Sequence, residues 1–290
     1  MSETGGHGGI QISGPIMMKE TNLIEREFYQ SIFPFPPPTI PRGGTVPQGL
    51  ARHSRIAQHT PEIHATLRNY VPYYYGLEQG TERIVLENLA YGLEHPQFFD
   101  VKIGAKTCSM GELVAAGRGA SSAWKKKQKL KMADYFTLSS KRGFRMVAVS
   151  CFPKDGRKEL ARRDPSLVIR KYFESAIKGG GSPVALRREA SDKVNAILSQ
   201  VAWDDYAMIA ASILFVMGKT SVSNMRPQWI CRVKLIDFAH TYHRSRLGRL
   251  SDSQLTKYSR NFSQGLAAFG HLLGAGVGTA SPHGRPMPHA

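Results

Sequence analysis

The segment Pro96-Gln97-Phe98-Phe99-Asp100-Val101-Lys102-Ile103-Gly104 constrains this chain more than any other stretch. Side chains two residues apart on an extended strand point to the same side, so an extended reading sets Asp100 and Lys102 next to one another. A second segment, Val233-Lys234-Leu235-Ile236-Asp237-Phe238-Ala239-His240, reads as an apolar strand that ends in an acid. A carboxylate in that position suits Mg²⁺, although an Asp237 standing alone is more readily a capping or turn residue.

The chain of 290 residues, 41% hydrophobic, is long enough for a sizeable core and about two lobes. That composition excludes a disordered protein. The 39 basic against 22 acidic side chains give a net charge of +17 and point to a polyanionic partner such as phosphates, nucleic acid or an acidic membrane face. The charge is uneven: residues 117–193 alone hold +13 of it, densest at Lys125, Lys126, Lys127, Lys129 and Lys131. If 123–136 is helical, these lysines wind around it; they read as a solvated face, a nuclear-import signal or a site for a multiply phosphorylated ligand. Cys108, Cys151 and Cys231 are too few and scattered for a disulfide framework, which suits a reducing compartment. The start at Met1 lacks the features of a secretory signal. The longest apolar run, Tyr206–Met217, is too short for a bilayer span and reads as a buried element.

Hydrophobic periodicity predicts β-like runs at 11–19 and 83–87 around a helix at 23–32, strands at 145–152 and 231–238, and helices at 165–176, 186–201 and 251–273. The Pro-rich stretch 33–49 fits neither regular element and reads as a surface insertion. The Gly-, Pro- and His-rich tail 274–290 reads as disordered.

Phosphoryl transfer needs a lysine on the phosphates, an acid for Mg²⁺, and a group that orients the attacking hydroxyl. Lys19 ends the run Ile16-Met17-Met18 about eight residues before Glu27, an arrangement in which a strand lysine can pair with a helix glutamate. Gly5-Gly6-His7-Gly8-Gly9 could bring backbone amides to phosphate, but it is neither a GxGxxG fingerprint nor a Walker A loop.

Together these segments resemble the inositol polyphosphate kinase family, whose signature is PxxxDxKxG, then S-(L/I)-L, then IDF. Here the three are Pro96–Gly104, Ser212-Ile213-Leu214 and Ile236-Asp237-Phe238, in that order. Further matches are Gly6-His7, Lys19, the run Glu-Arg-Glu-Phe-Tyr at 25–29, Leu86-Glu87-Asn88-Leu89, Gly143-Phe144-Arg145, and Asn261-Phe262 with Gly265-Leu266. The wording Asp-Val-Lys-Ile-Gly and Asp-Phe-Ala-His is most similar to the multikinases of that family. Two departures stand out: Met146-Val147-Ala148-Val149 and Ser150-Cys151-Phe152 follow Arg145, and only Glu112 is available as an acid near the Lys102 loop.

The resemblance implies an α+β, two-lobed, protein-kinase-like fold with ATP between the lobes. It implies an amino-terminal lobe at 1–88, carrying the insertion 33–49, and a catalytic and inositol-binding lobe at 89–273. Lys19 would contact ATP phosphates, and the Glu87 and Leu89 backbones would hold adenine. Asp100 would serve ATP binding with a share in activating the hydroxyl, Lys102 would bridge the transferring phosphate and the inositol, and Asp237 would bind Mg²⁺. Lys125, Lys126, Lys129 and Lys131 would meet inositol phosphates, with His240 either reaching substrate or packing beneath Asp237, and Ser212 a buried hydrogen-bonding residue supporting the metal site. The implied enzyme converts inositol 1,4,5-trisphosphate to tetrakis- and pentakisphosphate with ATP and Mg²⁺. A hexakisphosphate kinase making a pyrophosphate and a basic polyanion-binding scaffold are the alternatives. The expected partners are soluble inositol phosphates and acidic phosphoinositide lipids, with no obligate nucleic acid and no transmembrane segment. A monomer resident in nucleus and cytoplasm is the matching expectation.

Overall fold

The computed structural model describes residues 9–33, 50–51, 65–104, 139–152, 163–220, 227–244 and 250–275. The Gly-rich start up to Gly8, most of the Pro-rich insertion, Glu112, the lysine cluster and the tail beyond 275 lie outside them.

The amino-terminal lobe is an antiparallel sheet in the order β1 (Ile10–Ser13), β2 (Ile16–Glu20), β5 (Arg83–Glu87), β4 (Tyr74–Glu78), β3 (Leu50–Ala51). The predicted run at 11–19 is therefore a hairpin, turned at Gly14, whose φ of 54° lies in the left-handed region that glycine reaches without strain. Helix α1 (Leu23–Ile32) starts where Asn22 accepts a hydrogen bond from the Glu25 N–H, and it buries Glu25, Phe28, Tyr29 and Ile32. That spacing is one helical stripe, and Tyr29 stacks on Tyr74 with ring centroids 5.6 Å apart.

The second lobe is built on a four-stranded antiparallel sheet in the order β10 (Trp229–Ile236), β9 (Ser212–Thr220), β6 (Leu93–Ile103), β7 (Phe144–Val149). One face of this sheet, carrying Phe99, Val101, Ile103, Phe215, Cys231, Val233 and Leu235, is buried. It packs on helices α4 (Pro165–Glu174), α5 (Pro183–Gln200) and α6 (Asp252–Gly274), with Phe269 of α6 set edge-on to Phe99 and Phe144. Side-chain caps at Asp164, Ser182 and Ser251 fix the three helix starts. A short pair of strands, β8 (Tyr206–Met208) and β11 (Thr241–His243), lies beside α6. Two helices of a single turn, α2 (Ala65–Arg68) and α3 (Ser139–Arg142), complete the set among the described residues.

The opposite face of the four-stranded sheet is ordered in rows by strand register. Arg145, Lys102, Ser212 and Ile236 form one row, Asp100, Leu214 and Lys234 the next, and Phe98, Val216 and Arg232 the third. Charge and polarity thus concentrate at the end nearest Asp237, and apolar side chains at the other. The departure at 150–152 has a local role, because Ser150 Oγ accepts from the Phe98 N–H at 2.5 Å and closes β7 onto β6.

Three glycines set the end of β6. Gly104 (φ 99°) donates its N–H to the Gly143 carbonyl at 2.7 Å, and Gly143 (φ 75°) leads into β7. Gly265 of α6 crosses so close that a Cβ there would stand 2.1 Å from the Gly143 oxygen. Cys151 is exposed, Cys231 is buried, and both are free thiols. Among the described residues no helix is long and apolar enough to cross a membrane.

Candidate active site

Lys19, at the end of β2, meets two acids from different elements. Its Nζ donates to Glu25 Oε1 of α1 at 3.0 Å and to Asp237 Oδ1, just past β10, at 2.8 Å. Burial opposes the lysine charge, but the two carboxylates outweigh it and raise the ammonium pKa above its ordinary value. The expected partner Glu27 is replaced by Glu25, because the buried stripe of α1 runs through 25, 28, 29 and 32, and position 27 falls on another side of the helix. Helical periodicity applied to the acids as well as the apolar residues would have found it.

Glu25 is buried and fully used. Its Oε1 also accepts from the Phe238 N–H at 3.1 Å, and Oε2 accepts from Thr21 Oγ1 at 2.6 Å. Asn22 Nδ2 reaches the Ala239 carbonyl at 3.0 Å, so α1 grips the 237–239 turn at two points. Asp237 has φ of 65°, a left-handed conformation that aspartate tolerates better than most residues, and it turns the carboxylate back toward Lys19. Burial works against the Asp237 charge, yet Lys19 and Lys102 prevail and hold the carboxyl below the usual range.

Strand β6 brings Asp100 and Lys102 onto the polar face of the sheet, as their spacing requires. Burial and the neighbouring Asp237 charge push the Asp100 carboxyl up to about 6, against the pull of Lys102 and Lys19. Burial lowers the Lys102 pKa, reinforced by Arg145 and Lys19 and opposed by Asp237 and Asp100. The Ser212 hydroxyl is near enough to favour an ionised Asp100, yet among the described residues neither Ser212 Oγ nor Asp100 Oδ1 completes a well-formed hydrogen bond. Ser212 is thus buried as expected, with its hydroxyl directed to the Asp100 carboxylate. Two unpaired buried oxygens beside a lysine are costly unless a ligand completes them.

At the far end of the same face, the segment after β5 links the two sheets. The Glu87 N–H is spent on the Tyr73 carbonyl at 2.8 Å, and the Leu89 carbonyl accepts from Arg232 at 2.7 Å. The Leu89 N–H has no partner among the described residues. Leu89 packs with Ala90 and Val216, flanked by Leu93, Phe98 and Leu214, an apolar floor suited to a flat ring.

Lys19, Asp100, Lys102 and Asp237 therefore meet in one charged network, with Glu87 and Leu89 at the other end of the sheet face. His240 is half-buried beyond Phe238, its carbonyl accepting from the Ile209 N–H at 3.1 Å. Lys125, Lys126, Lys129 and Lys131 fall outside the described residues. Glu25 and Arg232 are the site residues whose parts were not read from the sequence.

Among the described residues there is no cluster of three His, Cys, Asp or Glu side chains that would make an all-protein metal cage. Asp237 and Asp100 do fit a hard cation shared with phosphate oxygens, which needs only one or two carboxylates.

Residues 83–273 match the family model described as inositol polyphosphate kinase. No curated protein matches the chain. Among solved structures, inositol phosphate multikinase Ipk2 of S. cerevisiae, in complex with ADP and Mn²⁺, is 17% identical. The match covers 91% of this chain and 100% of that one at a TM-score of 0.62, a likeness of fold. A second structure, from structural studies and protein engineering of inositol phosphate multikinase, is 22% identical over 75% of this chain and 94% of that one, with a TM-score of 0.49.

Proposed function

The chain belongs to the inositol polyphosphate kinase family, and on that premise we propose that it moves the terminal phosphoryl group of ATP to hydroxyls of soluble inositol phosphates. The substrate class proposed is inositol 1,4,5-trisphosphate, taken to tetrakis- and pentakisphosphates. The observation that carries this reading is the meeting of Lys19, Asp237, Asp100 and Lys102, drawn from three strands and two lobes, in one network.

Each residue then has a part that its surroundings support. Lys19, kept charged by Glu25 and Asp237, binds the nucleotide phosphates. Asp237 would hold the divalent cation proposed here as Mg²⁺, which when bound neutralises charge on the phosphates. Asp100, with a pKa near 6 and an unpaired Oδ1, orients the attacking hydroxyl and accepts its proton. Lys102 stands where negative charge gathers between the transferring group and the inositol, and its value there is electrostatic. Leu89 presents its N–H to the purine edge. The lysine cluster and His240 are assigned to the inositol phosphates, and the lobes to residues 1–88 and 89–273.

Turnover of inositol 1,4,5-trisphosphate and, separately, of inositol hexakisphosphate with Mg²⁺-ATP tests this. Wild type is compared with Lys102→Ala and Asp237→Ala, and products are resolved by phosphate position. Trisphosphate turnover lost in both variants is the expected result. Turnover of hexakisphosphate alone would move the protein to pyrophosphate synthesis, and turnover of neither would leave a polyanion-binding scaffold.

A further inference from the structure

Strand β10 alternates Cys231, Val233 and Leu235, which are buried in the core, with Arg232 and Lys234 on the opposite face. Lys234 Nζ donates to the Asn69 carbonyl at 2.8 Å. Arg232 uses a single nitrogen, Nη1, to bridge the carbonyls of Leu89 at 2.7 Å and Tyr91 at 2.9 Å. Both acceptors are neutral, so the bridge is not an ion pair and its effect is to fix backbone geometry. Burial lowers the guanidinium pKa, with Glu87 opposing; a cation half-removed from water in this way is compensated by bonds as short as these two.

The segment it holds is tied at nearly every other polar group. Asn88 donates its N–H to the Pro15 carbonyl at 2.8 Å and its Nδ2 to the Gly14 carbonyl at 2.7 Å. Its Oδ1 accepts from the Ala90 N–H at 3.0 Å, and its carbonyl accepts from the Tyr91 N–H at 3.0 Å. Leu93 closes the turn onto the Ala90 carbonyl at 3.2 Å. Among the described residues the Leu89 N–H is the donor left over, beside the apolar floor of Leu89, Val216, Leu214 and Phe98. A segment whose other polar groups are held by neighbouring backbone and by Arg232, and which leaves the N–H of its buried Leu89 open, presents that donor to a ligand.

We propose that Arg232 is a positioning residue for the nucleotide base, acting through the Leu89 and Tyr91 carbonyls to aim the Leu89 N–H. This rests on the reading of the site as a nucleotide site. It separates two parts of nucleotide affinity that lie at opposite ends of the sheet face, phosphate binding at Lys19 and base binding at Leu89.

The test is calorimetric titration of the full chain with ADP and with inorganic tripolyphosphate, which carries the phosphates but no base. Arg232→Met removes the donors and keeps the apolar stem, and Arg232→Lys keeps one amine on a shorter stem. Arg232→Met should weaken ADP about tenfold, the size of one hydrogen bond lost between the Leu89 N–H and the base. Tripolyphosphate affinity and kcat at saturating ATP should stay within about twofold, and KM for ATP should rise with the ADP dissociation constant. Arg232→Lys should fall between the two, and it carries the same test if Arg232→Met does not fold. Unchanged ADP affinity in the variants, or an equal loss for ADP and tripolyphosphate, would overturn the assignment. A wild type that binds tripolyphosphate and not ADP would instead overturn the nucleotide reading itself.

Discussion

Lys19 Nζ stands 2.8 Å from Asp237 Oδ1 and 3.0 Å from Glu25 Oε1, so one ammonium joins the end of a strand in the first lobe to the end of a strand in the second. Glu25 is buried, whereas the Asp237 side chain is 40% exposed. The two acids are therefore unequal partners: among the described residues Glu25 has Lys19 as its one cation, whereas Asp237, open to solvent, can trade it for a ligand.

Lys19→Met should show that inequality. Removing one partner of a buried pair strands the other charge, so the substitution should cost about 3 kcal/mol of unfolding free energy. Adding Glu25→Gln should recover about half of that loss, since the amide oxygen still accepts from the Phe238 N–H. Urea unfolding of the two single variants and the double variant measures the coupling. Strict additivity would mean that the pair carries no stability.

Asp100→Asn should stabilise the fold at neutral pH while abolishing turnover. Burial raises the Asp100 carboxyl from 3.8 to about 6, so the folded chain holds this proton more tightly than the unfolded chain. Folding then loses stability as pH rises through that window, by about 3 kcal/mol once the group is ionised above pH 6. Asparagine carries no such cost, so its advantage should be present at pH 7.5 and nearly gone at pH 4. The same titration should appear as an acid limb near pH 6 in kcat/KM. A stability difference that does not change with pH would contradict the assignment.

Phe238 should carry much of the junction between lobes. Its ring stacks on Phe28 with centroids 4.1 Å apart and meets Tyr29 edge-on at 5.5 Å. Phe238→Ala should cost about 4 kcal/mol as a buried cavity, and Phe238→Leu about 1.5 kcal/mol. Because the Phe238 N–H holds Glu25 and so Lys19, the alanine variant should also raise KM for ATP. Thermal melts with kinetics on both variants test the link, and an unchanged KM would show that the aromatic packing is separable from the site.

Much of this was legible in the sequence where periodicity and a chemical pattern coincide. Helix α1 occupies the predicted 23–32, and Asp100 and Lys102 share a strand face because period two leaves them no choice. The apolar run 206–217 was ambiguous, since a continuous apolar stretch has no period. It divides into β8 and β9 at Ala210, whose φ of 59° no propensity foretells. Glu25 was hidden for a different reason, because two glutamates on one helix differ only in which faces the core. Arg232 was hidden because its partners are carbonyls 141 and 143 residues away, and backbone acceptors have no sequence signature. The glycines of three separate matching segments find their reason only in space, where Gly104, Gly143 and Gly265 converge.

That convergence makes Gly265→Ala the sharpest steric prediction. A Cβ at 265 would stand 2.1 Å from the Gly143 oxygen and 3.0 Å from the Gly104 nitrogen, and both are backbone atoms that no rotamer change can clear. Helix α6 must then move off the β6–β7 end, stretching the 2.7 Å hydrogen bond between Gly104 and Gly143 that lies two residues past Lys102. The cost should reach at least about 3 kcal/mol, the upper range for overpacking, with a matching rise in KM for the inositol phosphate. Gly80→Ala is the control: its φ of 76° is also left-handed, but nothing lies within 4 Å of the added methyl. It should lose only about 1 kcal/mol and keep full turnover, because the penalty there is conformational and local. Equal losses at the two positions would mean that backbone conformation, and not the three-glycine crossing, sets the end of the catalytic strand.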